Sequence, residues 1–545
     1  MEINKLIKVA LKIADSIDYS APQTDDKSVL LRIRNLKQYF PVRGKRGLFV
    51  RACDGISMDI YEGETFGLVG ESGCGKSTFG RTILQLYQQT YGKTLYYGRS
   101  LDSLAPAYLW YTVKKLPYLL KVFVKHYEQA EQLAVVSETV KKDPAASEAQ
   151  RYRAMDQYAK AKKLAEDEFL AIAQVLGGLM ISSDLGTIKK VYLPYQKIVE
   201  ERNRLSAKLV KLRLKAERSN EKRNRFSAML VKLRLKAKRS KAEKAAEAIS
   251  ALKNEISAKD EIIAEKYKDI EKLREAMQDD PDFRKLEAFR DNGIDLARLE
   301  YCEMRRLRRD LQIIFQDPYS SLNARLSVGQ IIGEGLLAQD IFSHTGEKMF
   351  DYIKKVMEKC GLADYMVHRY PHQFSGGQRQ RIGIARSLAL NPKFVVCDEP
   401  VSALDVSIQS QILNLLSDLK QNEKLTYLFI SHDMSVIKYI CDRIGVMYLG
   451  NIVELARTED IFRQPRHPYT DALLKAIPTT DLDKDKVEVI LEGDIPSPIR
   501  PPSGCKFHTR CPLVTDICKE LTPELREAAP GHYVACHHKL GEASA

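Results

Sequence analysis

Several things are scarce in this chain, and each shortage excludes a class of protein. No basic-then-apolar leader opens the sequence, so a secretory signal is not expected. No apolar run approaches the roughly 20 residues a membrane-spanning helix needs. The longest near-unbroken one, residues 169–181, has 13 residues and contains Gln174. The expectation is a soluble chain that docks on a membrane and does not cross it. Ten cysteines without a leader point to a reducing compartment, where metal or core roles are favoured over disulfides. Between Tyr195 and Asp280 there is neither glycine nor proline. A stretch without these breakers reads as long helix.

Positive charge is present in excess, but only locally. The net charge of the 545 residues is +14, and residues 202–244 alone hold 17 Lys and Arg against three Glu. The remainder is near neutral, so a partner argument from charge belongs to that segment. It is either a solvated helix face or a contact for anionic lipid headgroups. The same segment repeats itself. LVKLRLKA at 209–216 recurs at 230–237, and residues 202–219 match 223–240 at 15 of 18 positions. The period of 21 residues is three heptads, so a duplication preserves an apolar seam. Leu205, Leu209, Leu212 and Ala216 follow 4-3-4 spacing, which Phe226, Leu230, Leu233 and Ala237 copy. Ile249, Ile256, Ile263, Ile270 and Met277 recur every seven residues in another register. One helix over 195–280 would run about 130 Å, so a folded-back coiled-coil hairpin is expected, with residues 145–176 as a candidate partner.

Residues 64–69 form a short apolar strand that runs into GESGCGKST at 70–78, with a helical stretch behind it. Strand, glycine loop and helix in that order fit G-x-x-x-x-G-K-[ST]. Gly70, Gly73 and Gly75 let the N–H groups of the loop, including those of Ser72, Cys74 and Thr78, turn toward phosphates. Lys76 reaches the β- and γ-phosphates and the Ser77 hydroxyl holds Mg²⁺. The helix N-terminus adds its dipole. KFVVCDE at 393–399 is a buried strand ending in two carboxylates. Asp398 is placed to hold Mg²⁺, and Glu399 to polarise an attacking water. A third apolar strand, 425–430, ends at Ser431-His432-Asp433, where His432 is either a γ-phosphate sensor or structural.

FSGGQ at 374–378 decides how these pieces belong together. With it the chain resembles the ATP-binding-cassette ATPases, whose signature LSGGQ appears here with Phe374 in first place. The resemblance covers nearly all of 29–109 and 304–477. It implies a catalytic Q-loop glutamine, Gln316, sharing Mg²⁺ with Ser77 and Asp398, and His432 as a catalytic residue beside Glu399. It implies a nucleotide contact at Asp405 in the D-loop and an adenine stack on Phe40 or Tyr39. It further implies a second cassette, identical or related, packed head to tail, so that Ser375, Gly376, Gly377 and Gln378 of one subunit complete the ATP site of the other. FQDPYSSLN at 315–323, EPVSALDVS at 399–407 and RHPYT at 466–470 narrow the likeness to the oligopeptide/dipeptide importer ATPases, and nickel importers share much of this wording. Ala324 departs from it, because proline usually stands there. The resemblance implies an ATP-hydrolysing subunit that powers peptide import, peripheral on the cytoplasmic face of the cell membrane. Its partners would be transmembrane permease subunits and, indirectly, an extracytoplasmic peptide-binding protein.

Cys505, Cys511, Cys518 and Cys536 are spaced x₅, x₆ and x₁₇ and lack the tight C-x₂₋₄-C pairs of zinc modules. Some peptide-importer ATPases carry a 4Fe-4S cluster at wording like GCKFHTRCP at 504–512, which favours that cluster over zinc; His508, His532, His537 and His538 keep a mixed zinc site open. The tail lies outside every nucleotide motif. Lys76 and Gln316 stand 240 positions apart, where such cassettes place them a few dozen apart, so about residues 110–299 are inserted. The expected architecture is an α/β P-loop cassette interrupted by an all-α, coiled-coil-like insertion and followed by a small Cys-rich extension. Its expected parts are an N-terminal extension at 1–28, cassette at 29–109, helical insertion at 110–300, cassette at 301–480 and tail at 481–545. Chromosome-maintenance and repair ATPases also split a cassette with a coil, and a basic coil suits DNA. In those the coil follows the Q-loop, whereas here it precedes Gln316.

Overall fold

The computed structural model describes residues 3–17, 28–45, 48–143, 145–226, 234–477 and 493–538. The chain forms two compact units, one helical and one α/β. The helical unit takes Met1–Ser20, Arg99–Ile294 and Arg298–Glu300, and the α/β unit takes Ala21–Gly98, Asp295–Ala297 and Tyr301–Ala545. Two details differ from the expected boundaries. The helical unit begins at Arg99, ahead of residue 110. The N-terminal segment is not a separate extension: its helix Ile3–Ser16 places Leu6, Val9, Ala10 and Ile13 in the core of the helical unit.

The α/β unit holds two sheets. Its strands are β1 (Val29–Pro41), β2 (Phe49–Tyr61), β3 (Thr65–Val69), β4 (Tyr91–Tyr96), β5 (Ile294–Asp295), β6 (Leu311–Ile314), β7 (Phe394–Asp398), β8 (Thr426–Ile430), β9 (Arg443–Tyr448), β10 (Asn451–Arg457), β11 (Arg526–Ala529) and β12 (His532–Val534). The smaller sheet has the order β2-β1-β4-β5 and the larger β11-β12-β10-β9-β3-β8-β7-β6. β3, β7 and β8 are buried at every residue, as apolar strands of a parallel sheet covered on both faces should be. β6, β7, β8, β3 and β9 run parallel. β9 then doubles back into β10 through Leu449 and Gly450, both at positive φ (41° and 83°), the backbone a two-residue hairpin demands. The tail joins this sheet: β12 pairs with β10, Glu454 against Val534 and Leu455 against Tyr533.

In the helical unit, Leu116–Lys142 packs against Glu148–Leu176, with the Phe169 ring in contact with Phe123 at 5.9 Å and with Phe289 at 5.2 Å. The apolar run at 169–181 is core: Phe169, Ile172, Leu176, Leu179, Met180 and Ile181 are all buried. Among the described residues no helix is long and apolar enough to cross a membrane. Leu185–Phe226 and Arg234–Glu275 are two helices of 42 residues each. Arg202 pairs with Asp260, Glu201 with Lys259, and Tyr195 with Tyr267. From Tyr195–Tyr267 to Arg202–Asp260 position rises on one helix as it falls on the other, so they form an antiparallel hairpin. Their partner is each other, not residues 145–176. By the same register Leu209 faces Leu252, and both are buried. Ile263 and Ile270 are buried with them, and Ile249 and Ile256 half-buried. Leu230 and Leu233 of the second repeat copy lie outside the described residues.

Candidate nucleotide site

Four neighbouring parallel strands, β3, β8, β7 and β6, deliver the site from their C-terminal ends. The crevice outside such ends is where open α/β sheets bind ligands. β3 runs into the loop at 70–75 and the helix Lys76–Ile83. Gly70 and Gly75 stand at φ 152° and 107°. A Cβ at Gly75 would lie 2.0 Å from the Ala52 carbonyl oxygen, and one at Gly70 would lie 2.2 Å from that of Met447. The loop therefore needs these glycines for its own packing. Lys76 is buried, and its Nζ donates to the carbonyls of Gly70 (2.7 Å) and Glu71 (3.0 Å). Ser72 and Gly73 form the exposed tip, Cys74 is buried beneath it, and Thr78 is half-buried on the helix.

Ser77 Oγ donates to Asp398 Oδ1 at 2.6 Å. Asp398 is fully buried at the end of β7, and its other oxygen accepts from Arg81 at 3.1 Å. Arg81 lies one helical turn from Ser77 on the same face, an i, i+4 relation that was legible in the sequence. The Ser77 hydroxyl and the Asp398 carboxylate are hard oxygen donors, the chemistry Mg²⁺ takes.

Past Asp398 the chain turns at Glu399, φ 47°. Gln316 Nε2 donates to Glu399 Oε2 at 2.9 Å, and His432 Nδ1 lies 3.3 Å from Oε1. Residues from the ends of β6, β7 and β8 thus meet on one carboxylate. Its side chain is 13% exposed, whereas that of His432 is 54% exposed and open to solvent. Gln316, expected at Mg²⁺ with Ser77 and Asp398, is placed on Glu399. Asp405 caps the helix Val406–Glu423, accepting from Ile408 N–H at 3.0 Å and Ser407 Oγ at 2.7 Å. Those bonds, the backbone one foremost, hold its carboxyl below the usual range.

Ser375 caps the helix Gly376–Leu388 through a reciprocal pair: its Oγ accepts from Gln378 N–H at 3.4 Å, and Gln378 Oε1 accepts from Ser375 N–H at 3.2 Å. A Cβ on Gly377 would lie 2.5 Å from Ile408. No hydrogen bond among the described residues joins this signature to the loop at 70–78. On β1, Tyr39 and Phe40 point to opposite faces. The Tyr39 hydroxyl is committed to Asp54, its ring meets Tyr91 edge-on at 5.6 Å, and burial together with Asp54 pushes its pKa well up. Phe40 meets Tyr87 edge-on at 5.4 Å.

The four tail cysteines converge. Cys505 N–H donates to the Cys518 carbonyl at 2.8 Å, and burial, with the three neighbouring thiols adding to it, pushes Cys536 up to about 12. As thiols they bond locally: Cys536 Sγ lies 2.8 Å from the His538 carbonyl and Cys518 Sγ 3.5 Å from Thr515 Oγ1. Among the described residues, no group of three or more His, Cys, Asp or Glu is arranged to hold a metal ion. The tail also reaches a nucleotide motif, contrary to expectation, because Arg510 pairs with Glu71 of the phosphate loop.

Known proteins resemble this chain in its cassette and in its C-terminal part. The ABC transporter family matches residues 53–263 and 287–402, and the C-terminal region of the oligopeptide/dipeptide transporters matches residues 453–518. A peptide import ATP-binding protein of Brucella ovis is 55% identical over 245 residues, 45% of this chain and 77% of the relative. The oligopeptide transport ATP-binding protein AppF of Bacillus subtilis is 48% identical over 248 residues, 45% of this chain and 75% of AppF.

Proposed function

Because the chain belongs to the ABC transporter family, among the ATP-binding subunits of peptide importers, we propose that it hydrolyses ATP to drive uptake of oligopeptides or dipeptides through a membrane permease. The observation that carries the reading is Glu399, held between Gln316 and His432 beside the Ser77–Asp398 pair. Lys76 and the loop N–H groups bind the β- and γ-phosphates. Ser77 and Asp398 would hold Mg²⁺, which when bound would neutralise charge at the phosphates. Glu399 polarises the attacking water, Gln316 orients the carboxylate, and His432 contacts the γ-phosphate. Phe40 stacks on adenine, since Tyr39 is occupied with Asp54. In-line attack needs positioning and electrostatics more than covalent chemistry, which suits a site built from fixed strand ends.

The second cassette subunit is part of the same reading. Ser375, Gly376 and Gly377 present a helix N-terminus, a fitting cap for a γ-phosphate, and a head-to-tail partner would bring it there with Gln378. Asp405, tied to its own helix, would contribute by shaping that interface. Transmembrane permease subunits and an extracytoplasmic peptide-binding protein complete the assembly, with this chain peripheral on the cytoplasmic face. The basic segment at 202–244 would contact anionic headgroups. The 4Fe-4S reading of the tail rests on the family wording of 504–512 and on the convergence of four cysteines, and no step of ATP turnover is routed through it. Iron in proportion to chain after anaerobic purification supports it, and colourless protein with stoichiometric zinc rejects it. The whole reading is tested by purifying the native complex and assaying ATP-dependent uptake of labelled peptide into proteoliposomes. Uptake lost in Lys76→Ala supports it. A complex that moves nickel but not peptide overturns the cargo assignment.

A further inference from the structure

The phosphate loop is held from outside the nucleotide motifs by the C-terminal part of the chain. Glu71 extends its carboxylate to Arg510, whose two terminal nitrogens lie 2.8 and 3.0 Å from the two carboxylate oxygens. The backbone N–H of Glu71 donates to the Tyr469 hydroxyl at 2.9 Å. Tyr469 is fully buried, with ring contacts to Tyr448 at 4.8 Å and to Phe507 at 5.4 Å. Phe507 is tied to Arg510 by the turn bond Arg510 N–H to Phe507 carbonyl, 3.0 Å. Lys506 in the same turn donates to Asp54 and to the Leu449 carbonyl, both at 3.0 Å. The next residue, Gly450, donates to the carbonyl of Cys74 at 3.0 Å.

This is more than a surface ion pair. The Arg510 side chain is 5% exposed and that of Glu71 24%. A two-pronged guanidinium–carboxylate contact at that burial is stronger and less screened than an exposed one. It also acts on a glycine-rich part of the loop. Glu71 lies between Gly70 and the exposed tip, with Gly73 at φ 82°. A glycine-rich limb has much conformational freedom to lose on binding phosphate, and a limb fixed in advance loses less.

We propose that Arg510 is a positioning residue for ATP: the turn at 505–511 of the Cys-rich tail holds the outer limb of the phosphate loop through Glu71, so that loop geometry and tail order are coupled. The proposal rests on the ATPase reading of the same loop. Coupling is reciprocal, so bound nucleotide must in turn order the tail.

The test uses the full chain and a non-hydrolysed ATP analogue. Arg510→Gln should weaken analogue affinity about tenfold, raise the KM for ATP and change kcat less. Arg510→Lys should recover part of the loss, because one charge remains but the fork does not. Glu71→Gln approaches the pair from the loop side and serves if Arg510→Gln does not fold. The double variant should be no worse than the poorer single, because both remove one contact. Hydrogen exchange adds a readout that a merely structural role would not move. The analogue should slow exchange across 505–511 in the wild type and lose that effect in Glu71→Gln. Folded variants that bind within twofold of wild type, or a tail whose exchange ignores the analogue, overturn the proposal. A wild-type chain that binds no analogue would instead overturn the ATPase reading itself.

Discussion

Glu399 occupies a left-handed backbone position at the end of a buried strand, a conformation a non-glycine residue keeps only when its surroundings impose it. Gln316 and His432 reach it from the neighbouring strand ends. Glu399→Gln should therefore leave nucleotide affinity near wild type and cut ATP turnover by about 10²–10⁴-fold, the span typical of a lost general base. Steady-state ATPase rates beside analogue binding decide it, and near-normal turnover would remove Glu399 from that role. Asp398 and Glu399 were legible because four apolar residues lead straight into them. Arg81 was legible only as a helical neighbour of Ser77. Arg510 was not legible at all: it lies 439 positions from Glu71, and nothing local to either residue announces the other.

At the scale of elements, the helix Pro468–Lys475 depends on an imidazole. His467 caps it, Nδ1 accepting from Tyr469 N–H at 3.1 Å. The ring is buried, and burial lowers its pKa from 6.5 to about 4 against the opposing pull of Glu454. The unfolded chain thus takes up the proton first as pH falls. The stability due to the neutral ring is complete above about pH 6.5 and is lost as pH drops toward 4, on the order of 3 kcal/mol in all. Urea midpoints across that range should fall in the wild type and fall less in His467→Asn, which still caps. An equal slope in both would place the titration elsewhere. The hairpin of two 42-residue helices is held differently, by a seam. Leu252→Ala should cost about 2–5 kcal/mol locally, seen as faster hydrogen exchange in Leu185–Phe226 and Arg234–Glu275 with the cassette strands unchanged. Uniform protection would show that the seam does not hold the arms.

For the whole molecule, the helical unit leaves the cassette after Gly98 and the chain returns at Asp295. β4 and β5, on either side of the gap, are neighbours in one sheet, so a short Gly/Ser linker can replace residues 99–293 and leave both strands. The excision must also take the helix Ile3–Ser16, whose Leu6, Val9, Ala10 and Ile13 would otherwise lose their core. A cassette cut in this way should bind ATP as the full chain does, and loss of binding would make the helical unit part of the catalytic machine. Each Lys or Arg near an anionic leaflet contributes about 1 kcal/mol. The full chain should therefore bind acidic vesicles at low salt and release them as salt rises, while the excised cassette does not. Binding that ignores salt would reject the headgroup contact, and tighter binding to RNA or DNA would move the segment to nucleic acid.

The sequence by itself determined the glycine loop at 70–78, the carboxylates that end β7 and the helix that opens at Gly376, because each is written within a few consecutive residues whose local backbone does the work. It also determined that a helical insertion exists, since a stretch free of glycine and proline can be little else. Only the tertiary structure decided which helix partners which, because a heptad seam states that a partner is wanted and not which one. It decided that the N-terminal helix belongs to the insertion, and that the Cys-rich tail lies against the phosphate loop. Those are contacts between residues hundreds of positions apart, set by the closing of the sheet and the burial of apolar faces, and no local pattern encodes them.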